Sequence, residues 1–403
     1  MDGRFIGESP FSWKFLIDTL EAEDPDYPRG KECVDIAASD ISAGEGYLSK
    51  IYKTTISFSD SSSYQVVLKV PGLESIHQVF DDFSRDGGDK HDSSAIDSDT
   101  FVVDVHNREC DFYNLFASKC GAPLLKTYLA QRITYLAQRI VKPQQHGCIL
   151  MESAVGKATT GSFLKSYTRE MIFTIAEKLA LMTKFSLLNP LGGRFEFEFY
   201  DHGNVGPMIP PMLKKLREFN EEWFGAAVDK LQKYLSNEAF LKYLVVGHYK
   251  DVALPGVLVH GDLWSNNIFW SENEEHLVAF IDWQLMHEGS MTFDLARILV
   301  VCTDAEIRRE CTEPAYRHYY DTLKELMEKE GNTLTFDFDT MMKDARVTML
   351  SQMGDLLSMV PFCCSHMEKE DSRIQKVLLR AKAALEDIGG YLERIERRSE
   401  FVQ

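Results

Sequence analysis

The chain has 403 residues, 44% of them apolar, and a formal net charge of −18 at pH 7. That length and apolar content suit two lobes sharing a cleft. The acidic balance argues against nucleic acid and anionic membrane surfaces as partners, because both select basic patches.

In chain order, the spacing predicts a short helix over Ser12 to Ala22, then an acidic, proline-containing loop. Gly44 and Gly46 precede an apolar alternation that includes Leu48 and Ile51. Glycines let backbone N–H groups approach phosphate oxygens closely, and Ser49 adds a hydroxyl donor. A plain hairpin turn fits the same residues. Tyr64 to Val70 reads as a strand with Lys69 near its end, a candidate phosphate ligand or an ordinary edge-strand lysine. Ser84 to Thr100, rich in Asp, Ser and Gly, is expected to be a mobile insertion. Val105, Phe112 and Phe116 fall on one helical face with Glu109 between them. A carboxylate there would hold the Lys69 ammonium in place. Asp111 is the rival partner, on another face.

A direct repeat follows, Thr127 to Ile133 and then Thr134 to Ile140, identical over seven residues. An insertion of odd length would swap the faces of a strand, so one copy is expected to loop out. A misaligned neighbouring strand is the other outcome. Cys148 to Glu152 reads as a buried strand, and Met151 and Glu152 stand where a nucleotide base would meet backbone. The division is placed there, with residues 1–151 as a nucleotide-binding lobe and 152–403 as a helical catalytic and acceptor-binding lobe.

In the second half, Ile172, Ile175, Ala176, Leu179 and Met182 form an apolar core stripe. Arg194 to Tyr200, Trp223, Phe224, Met349, Met353, Leu356 and Leu357 are candidates for an apolar pocket or for core. The most informative stretch is His260-Gly261-Asp262 continuing to Asn267, an H-x-D-x-x-x-x-N pattern. Ile268 to Trp270 and Leu277 to Ile281 read as a hairpin. If Trp270 pairs opposite Ala279, Asn267 falls opposite Asp282. Asp262 is then a base for an acceptor hydroxyl, and Asn267 and Asp282 are two oxygen ligands for Mg2+. His260 is expected to pack and hydrogen-bond the loop. Thr303 to Glu306 reads as a capping box, and residues 371–397 as a solvated outer helix. The ordered set of Gly loop, Lys strand, Glu helix, catalytic loop and metal acid predicts an α+β, bilobal protein-kinase-like fold. Its N-lobe is small and β-rich, and its C-lobe is larger and helical.

The motifs also carry a family resemblance. Gly46-Tyr47-Leu48-Ser49, Val67-Leu68-Lys69-Val70-Pro71-Gly72, His106 to Tyr113, His260 to Asn267, Ile281 to Gly289 and Phe293 to Arg297 are similar to ecdysteroid-kinase-like (CHK kinase-like) proteins of invertebrates. Those belong with choline kinases and aminoglycoside phosphotransferases. The resemblance implies ATP and Mg2+ as cofactors and a small-molecule alcohol, sterol-like or xenobiotic, as acceptor. It also implies that Asp294 is a buried acid bonding the catalytic-loop backbone. Trp283-Gln284 replaces the Phe-Gly of protein kinases and favours the small-molecule branch. Thr183 stands near a position where relatives often carry His. That departure, with the repeat, motivates a catalytically inactive nucleotide-binding or scaffold protein as the alternative.

Eight scattered cysteines without CxxC spacing fit free thiols in a reducing cytoplasm. No signal peptide is visible, and no apolar run approaches the ~20 residues of a membrane span.

Overall fold

Ser12 starts the first helix, α1 (Trp13–Glu23), by accepting a hydrogen bond from the Phe15 N–H at 3.1 Å. The structure is a computed structural model that describes residues 3–42, 48–72, 98–134, 145–196, 209–235, 237–364, 367–368 and 370–395. Two compact units emerge, Met1–Ser118 with Leu124–Lys157, and Lys119–Pro123 with Ala158–Gln403.

The first unit continues with β1 (Cys33–Asp40), β2 (Ser49–Phe58), β3 (Ser63–Pro71), α2 (Ser98–Leu115), β4 (Thr127–Gln131) and β5 (Cys148–Glu152). The strands form an antiparallel sheet in the order β1-β2-β3-β5-β4. Tyr52, Thr54, Ile56 and Phe58 of β2 are buried at a period of two, the signature of a half-buried strand. Central β3 is buried on both faces. Val66 and Leu68 join Trp13, Leu16 and Leu20 of α1, while Val67 packs with Cys110 of α2 and with Ile149 and Met151 of β5. Lys69, two residues past Val67, therefore faces the α2 side. The first copy of the repeat supplies β4. Thr134 bridges Gln145, and residues 135–144, most of the second copy, lie outside the described residues. So does most of the Ser84 to Thr100 insertion.

The second unit runs β6 (Ala158–Thr160), α3 (Arg169–Leu188), α4 (Ile209–Phe219), α5 (Glu221–Leu235), α6 (Glu238–Lys242), α7 (His248–Asp251), β7 (Val257–Val259), β8 (Ile268–Ser271), β9 (Leu277–Phe280), β10 (His287–Gly289) and α8 (Phe293–Val301). Then come α9 (Ala305–Lys329), α10 (Phe338–Cys364), α11 (Ser372–Ile388) and α12 (Leu392–Ile395). The α+β class is as expected, with the sheet first and the helices after. Every residue of α8 is buried. Each of its fully buried Leu and Ile side chains contributes about 1.5–3 kcal/mol. The helix packs against α10, and α3 packs against α9. The Thr183 hydroxyl lies 2.6 Å from that of Tyr319, so this position ties α3 to α9.

Three expectations need correction. The capping box does not form. Asp304, not Thr303, is the N-cap of α9, and its carboxylate goes to Arg380 at 2.8 Å instead of the helix end. The stretch expected to be a solvated outer helix buries one face of α11, including Arg380, whose guanidinium also donates to the carbonyls of Phe163, Lys165 and Val301. Of the residues left open between pocket and core, Phe224, Met349, Met353, Leu356 and Leu357 are core, as the second alternative has it. Lastly, α10 is long and apolar enough to cross a membrane, with 67% of its apolar window buried inside the structure.

Candidate active site

In the first unit, Lys69 Nζ lies 2.7 Å from Glu109 Oε2, and both side chains are buried. Asp111 instead pairs with Arg132, so the choice between the two α2 acids falls on Glu109. Ser49 is buried at the start of β2, opposite Pro71. Met151 ends the buried run of β5. The Glu152 carboxylate accepts from the Lys126 N–H at 2.7 Å, and the Glu152 N–H donates to the Lys126 carbonyl at 2.8 Å. The side chain of Glu152 is thus occupied at the start of β4. Gly44 and Gly46 lie outside the described residues.

In the second unit, β7 pairs with β10 and delivers the chain into the loop His260–Asn267. Asp294, on the first turn of α8, accepts the His260 N–H at 2.7 Å and the Gly261 N–H at 3.1 Å. Gly261 adopts φ +84°, and a Cβ there would lie 2.2 Å from the Leu285 carbonyl oxygen. Only glycine fits. The His260 ring is fully buried against Trp283, its centroid 4.4 Å from the indole. Its Nδ1 accepts the Asp262 N–H at 3.2 Å, which leaves Nε2–H to donate to the Ile281 carbonyl at 2.9 Å. His260 therefore fixes the Asp262 backbone and ties the loop to the end of β9.

Asn267 closes the loop. Its Nδ2 donates to the Asp262 carbonyl at 2.9 Å and to Asp262 Oδ2 at 3.0 Å, so its Oδ1 faces elsewhere as an acceptor. The hairpin brings Asp282 to the same end, but with a different register from the one expected. Ile268 pairs with Phe280 and Phe269 with Ala279, and an irregularity between Phe269 and Trp270 moves Trp270 opposite Leu277. The Ile281 N–H donates to the Asn267 carbonyl at 3.0 Å, which puts Asp282 one residue past Asn267. Asp282 then turns through the left-handed region at φ 66°, ψ 61°. For a non-glycine residue this stores about 1 kcal/mol of strain.

Sequence reasoning missed Arg297 and Asp355. Arg297, one turn beyond Asp294 on α8, places Nη2 2.5 Å from Asp262 Oδ1 and Nη1 3.0 Å from Asp355 Oδ2 of α10. The available signal was an arginine inside a helix that is apolar apart from Asp294, which demands a carboxylate partner. Burial, helped by the charges of Asp282 and Asp355 and opposed by Arg297 and the Asn267 amide, pushes Asp262 up to about 6. Burial likewise pushes Asp294 up to about 6, against its two backbone donors.

Among the described residues no group of three or more His, Cys, Asp or Glu side chains is arranged to hold a metal ion. Asn267 offers one amide oxygen, and Asp282, one residue past its pairing partner Ile281, offers one acid. That pair fits magnesium, which takes few protein oxygens and fills the rest from phosphates and water.

The chain is similar to known proteins over most of its length. A family described as DUF1679, Uncharacterized oxidoreductase dhs-27, matches residues 34–395. The Caenorhabditis elegans protein named Uncharacterized oxidoreductase dhs-27 is 23% identical over 397 residues, 94% of this chain and 46% of that protein. This chain thus spans about half the length of that relative. A second Caenorhabditis elegans protein, Uncharacterized kinase-like protein D1044.1, is 37% identical over 73 residues, 18% of this chain and 19% of that one. Among solved structures, a Plasmodium vivax ethanolamine kinase is 12% identical with a TM-score of 0.43, covering 87% of this chain and 82% of its own.

Proposed function

The chain belongs to the DUF1679 family, and on that premise we propose that it is a Mg·ATP-dependent phosphotransferase acting on a hydroxyl of a small, lipophilic molecule, sterol-like or xenobiotic. The observation that carries this reading is Asp262. Its side chain is 18% exposed, its loop hangs on Asp294, and its Oδ2 is oriented by Asn267. The acceptor class rests on the resemblance of the motifs to ecdysteroid-kinase-like proteins. Free cysteines throughout the chain support a cytoplasmic setting.

The residues divide the work. Lys69, steadied by Glu109, anchors the α- and β-phosphates. Asn267 Oδ1 and the Asp282 carboxylate would hold magnesium, which when bound neutralises phosphate charge. Asp262 orients the acceptor hydroxyl and takes its proton. As that proton moves, the acceptor oxygen forms its bond to the γ-phosphorus. The bond from the γ-phosphorus to the bridging oxygen breaks, and ADP leaves with the electron pair.

A purified chain incubated with ATP and a metabolite extract should yield, by mass spectrometry, molecules that have gained a phosphate. Asp262→Asn should lower that turnover by ~10²–10⁴ while leaving nucleotide affinity near wild type. Undiminished turnover in Asp262→Asn removes Asp262 from the chemistry. One observation favours a second reading, a nucleotide-binding protein without turnover: both oxygens of Asp262 are already engaged, by Arg297 and Asn267. Nucleotide binding with no phosphorylated product across the extract would select that reading.

A further inference from the structure

We propose that Arg297 is a positioning residue for Asp262, and that Gln352 and Asp355 of α10 hold Arg297 in that task. This inference rests on the phosphotransferase reading. Arg297 is 7% exposed, on a helix whose other residues, Asp294 apart, are apolar. Taking such a charge from water is unfavourable unless its partners are well placed. Here they are placed on two elements at once. Nη1 donates to Gln352 Oε1 and to Asp355 Oδ2, each at 3.0 Å, and Nη2 donates to Asp262 Oδ1 at 2.5 Å.

The guanidinium is planar, so fixing Nη1 on α10 fixes the direction in which Nη2 points. Asp262 is then held at three places. Arg297 takes Oδ1, Asn267 takes Oδ2, and Asp294 holds the backbone of the two residues before it. A carboxylate held in this way cannot rotate away from an incoming hydroxyl. Pre-set geometry of this kind is worth orders of magnitude in rate. Lysine could reach one partner but not span both, because an ammonium is a point charge on a flexible stem.

The test uses the full chain and Mg·ATP hydrolysis with water as the acceptor, following phosphate release and separating kcat from KM. Arg297→Met should lower kcat by ~10²-fold with KM for ATP within threefold, because the residue acts on orientation and not on nucleotide binding. Arg297→Lys should recover roughly tenfold of that loss, and Asp355→Asn should lose ~3–10-fold. In an Asp262→Asn background, Arg297→Met should cost nothing further, since groups acting as a unit are not additive. A normal kcat in Arg297→Met and Asp355→Asn, or a loss that adds in full to that of Asp262→Asn, overturns the inference while leaving a slow Asp262→Asn variant to support the phosphotransferase reading. Asp262→Asn turning over at the wild-type rate, or a wild-type chain with no turnover, overturns both. If Arg297→Met fails to fold, the lysine variant and Asp355→Asn decide the question by the same measurements.

Discussion

His106 sits buried on α2, its Nε2 2.9 Å from the Gln131 carbonyl at the end of β4. Burial, joined by the charges of Lys69 and Arg132, lowers its pKa from 6.5 to about 4. Well above pH 6.5 the ring is neutral in folded and unfolded chains alike and contributes no pH dependence. Below it, the unfolded chain takes up a proton that the folded chain refuses, so stability falls as the pH drops towards 4. The full loss is about 3 kcal/mol. His106→Gln keeps a donor for the Gln131 carbonyl and removes the titration. Thermal melts between pH 7.5 and 4 should show a shallower acid slope in that variant, and an unchanged slope would place the acid sensitivity elsewhere. The contrast with the candidate site is instructive. Asp262, Asn267 and His260 were legible because one tight loop fixes their relation, and loop geometry is local. Arg297 and Asp355 are 58 residues apart in sequence, and only the packing of α8 on α10 makes them neighbours. No spacing rule carries that.

At the level of elements, hydrophobic period set the existence of the strands and helices, while register depended on details that period does not encode. The β8–β9 hairpin was legible, but its pairing runs one residue off the expected register, with Ile268 opposite Phe280, so Asn267 stands opposite Ile281 and not Asp282. Likewise Asp304 has the right type for an N-cap, yet a buried Arg380 from α11 competes for its carboxylate and takes it. The tandem repeat offers a direct test of which features matter. Removing either copy yields the same shortened sequence, so β4 keeps its residues. Between Gln131 and Cys148 lie 16 residues, and deletion of seven leaves nine. Shortening the connection should return about 0.5 kcal/mol of closure entropy, offset by loss of the Thr134–Gln145 bridge. The shortened chain should therefore melt within a few degrees of the full one, with nucleotide affinity unchanged. A loss of more than about 2 kcal/mol would give the second copy a structural role. A tenfold gain in nucleotide affinity would mean that the repeat distorts β5.

For the molecule as a whole, charge decides how a nucleotide can bind. A net charge of −18 opposes a polyanion such as ATP. The candidate residues do not reverse this: in the first unit Lys69 is matched by Glu109, and in the second the one cation Arg297 faces the three carboxylates Asp262, Asp282 and Asp355, leaving −2 there. Both cations are already committed to carboxylate partners. Binding of ATP should then depend on a divalent cation shared between the phosphates and the Asn267–Asp282 pair. With EDTA, affinity for a fluorescent ATP analogue should fall by at least ~10-fold, and added NaCl should recover part of the loss, because the screening length shrinks from about 10 Å at 0.1 M to about 3 Å at 1 M. With Mg2+ present the same salt should have little effect, the charge having been neutralised at close range. Asp282→Asn should reproduce the EDTA result in saturating Mg2+. If nucleotide affinity is the same with and without Mg2+, then Asn267 and Asp282 are not a cation site and the left-handed turn at Asp282 serves the hairpin alone.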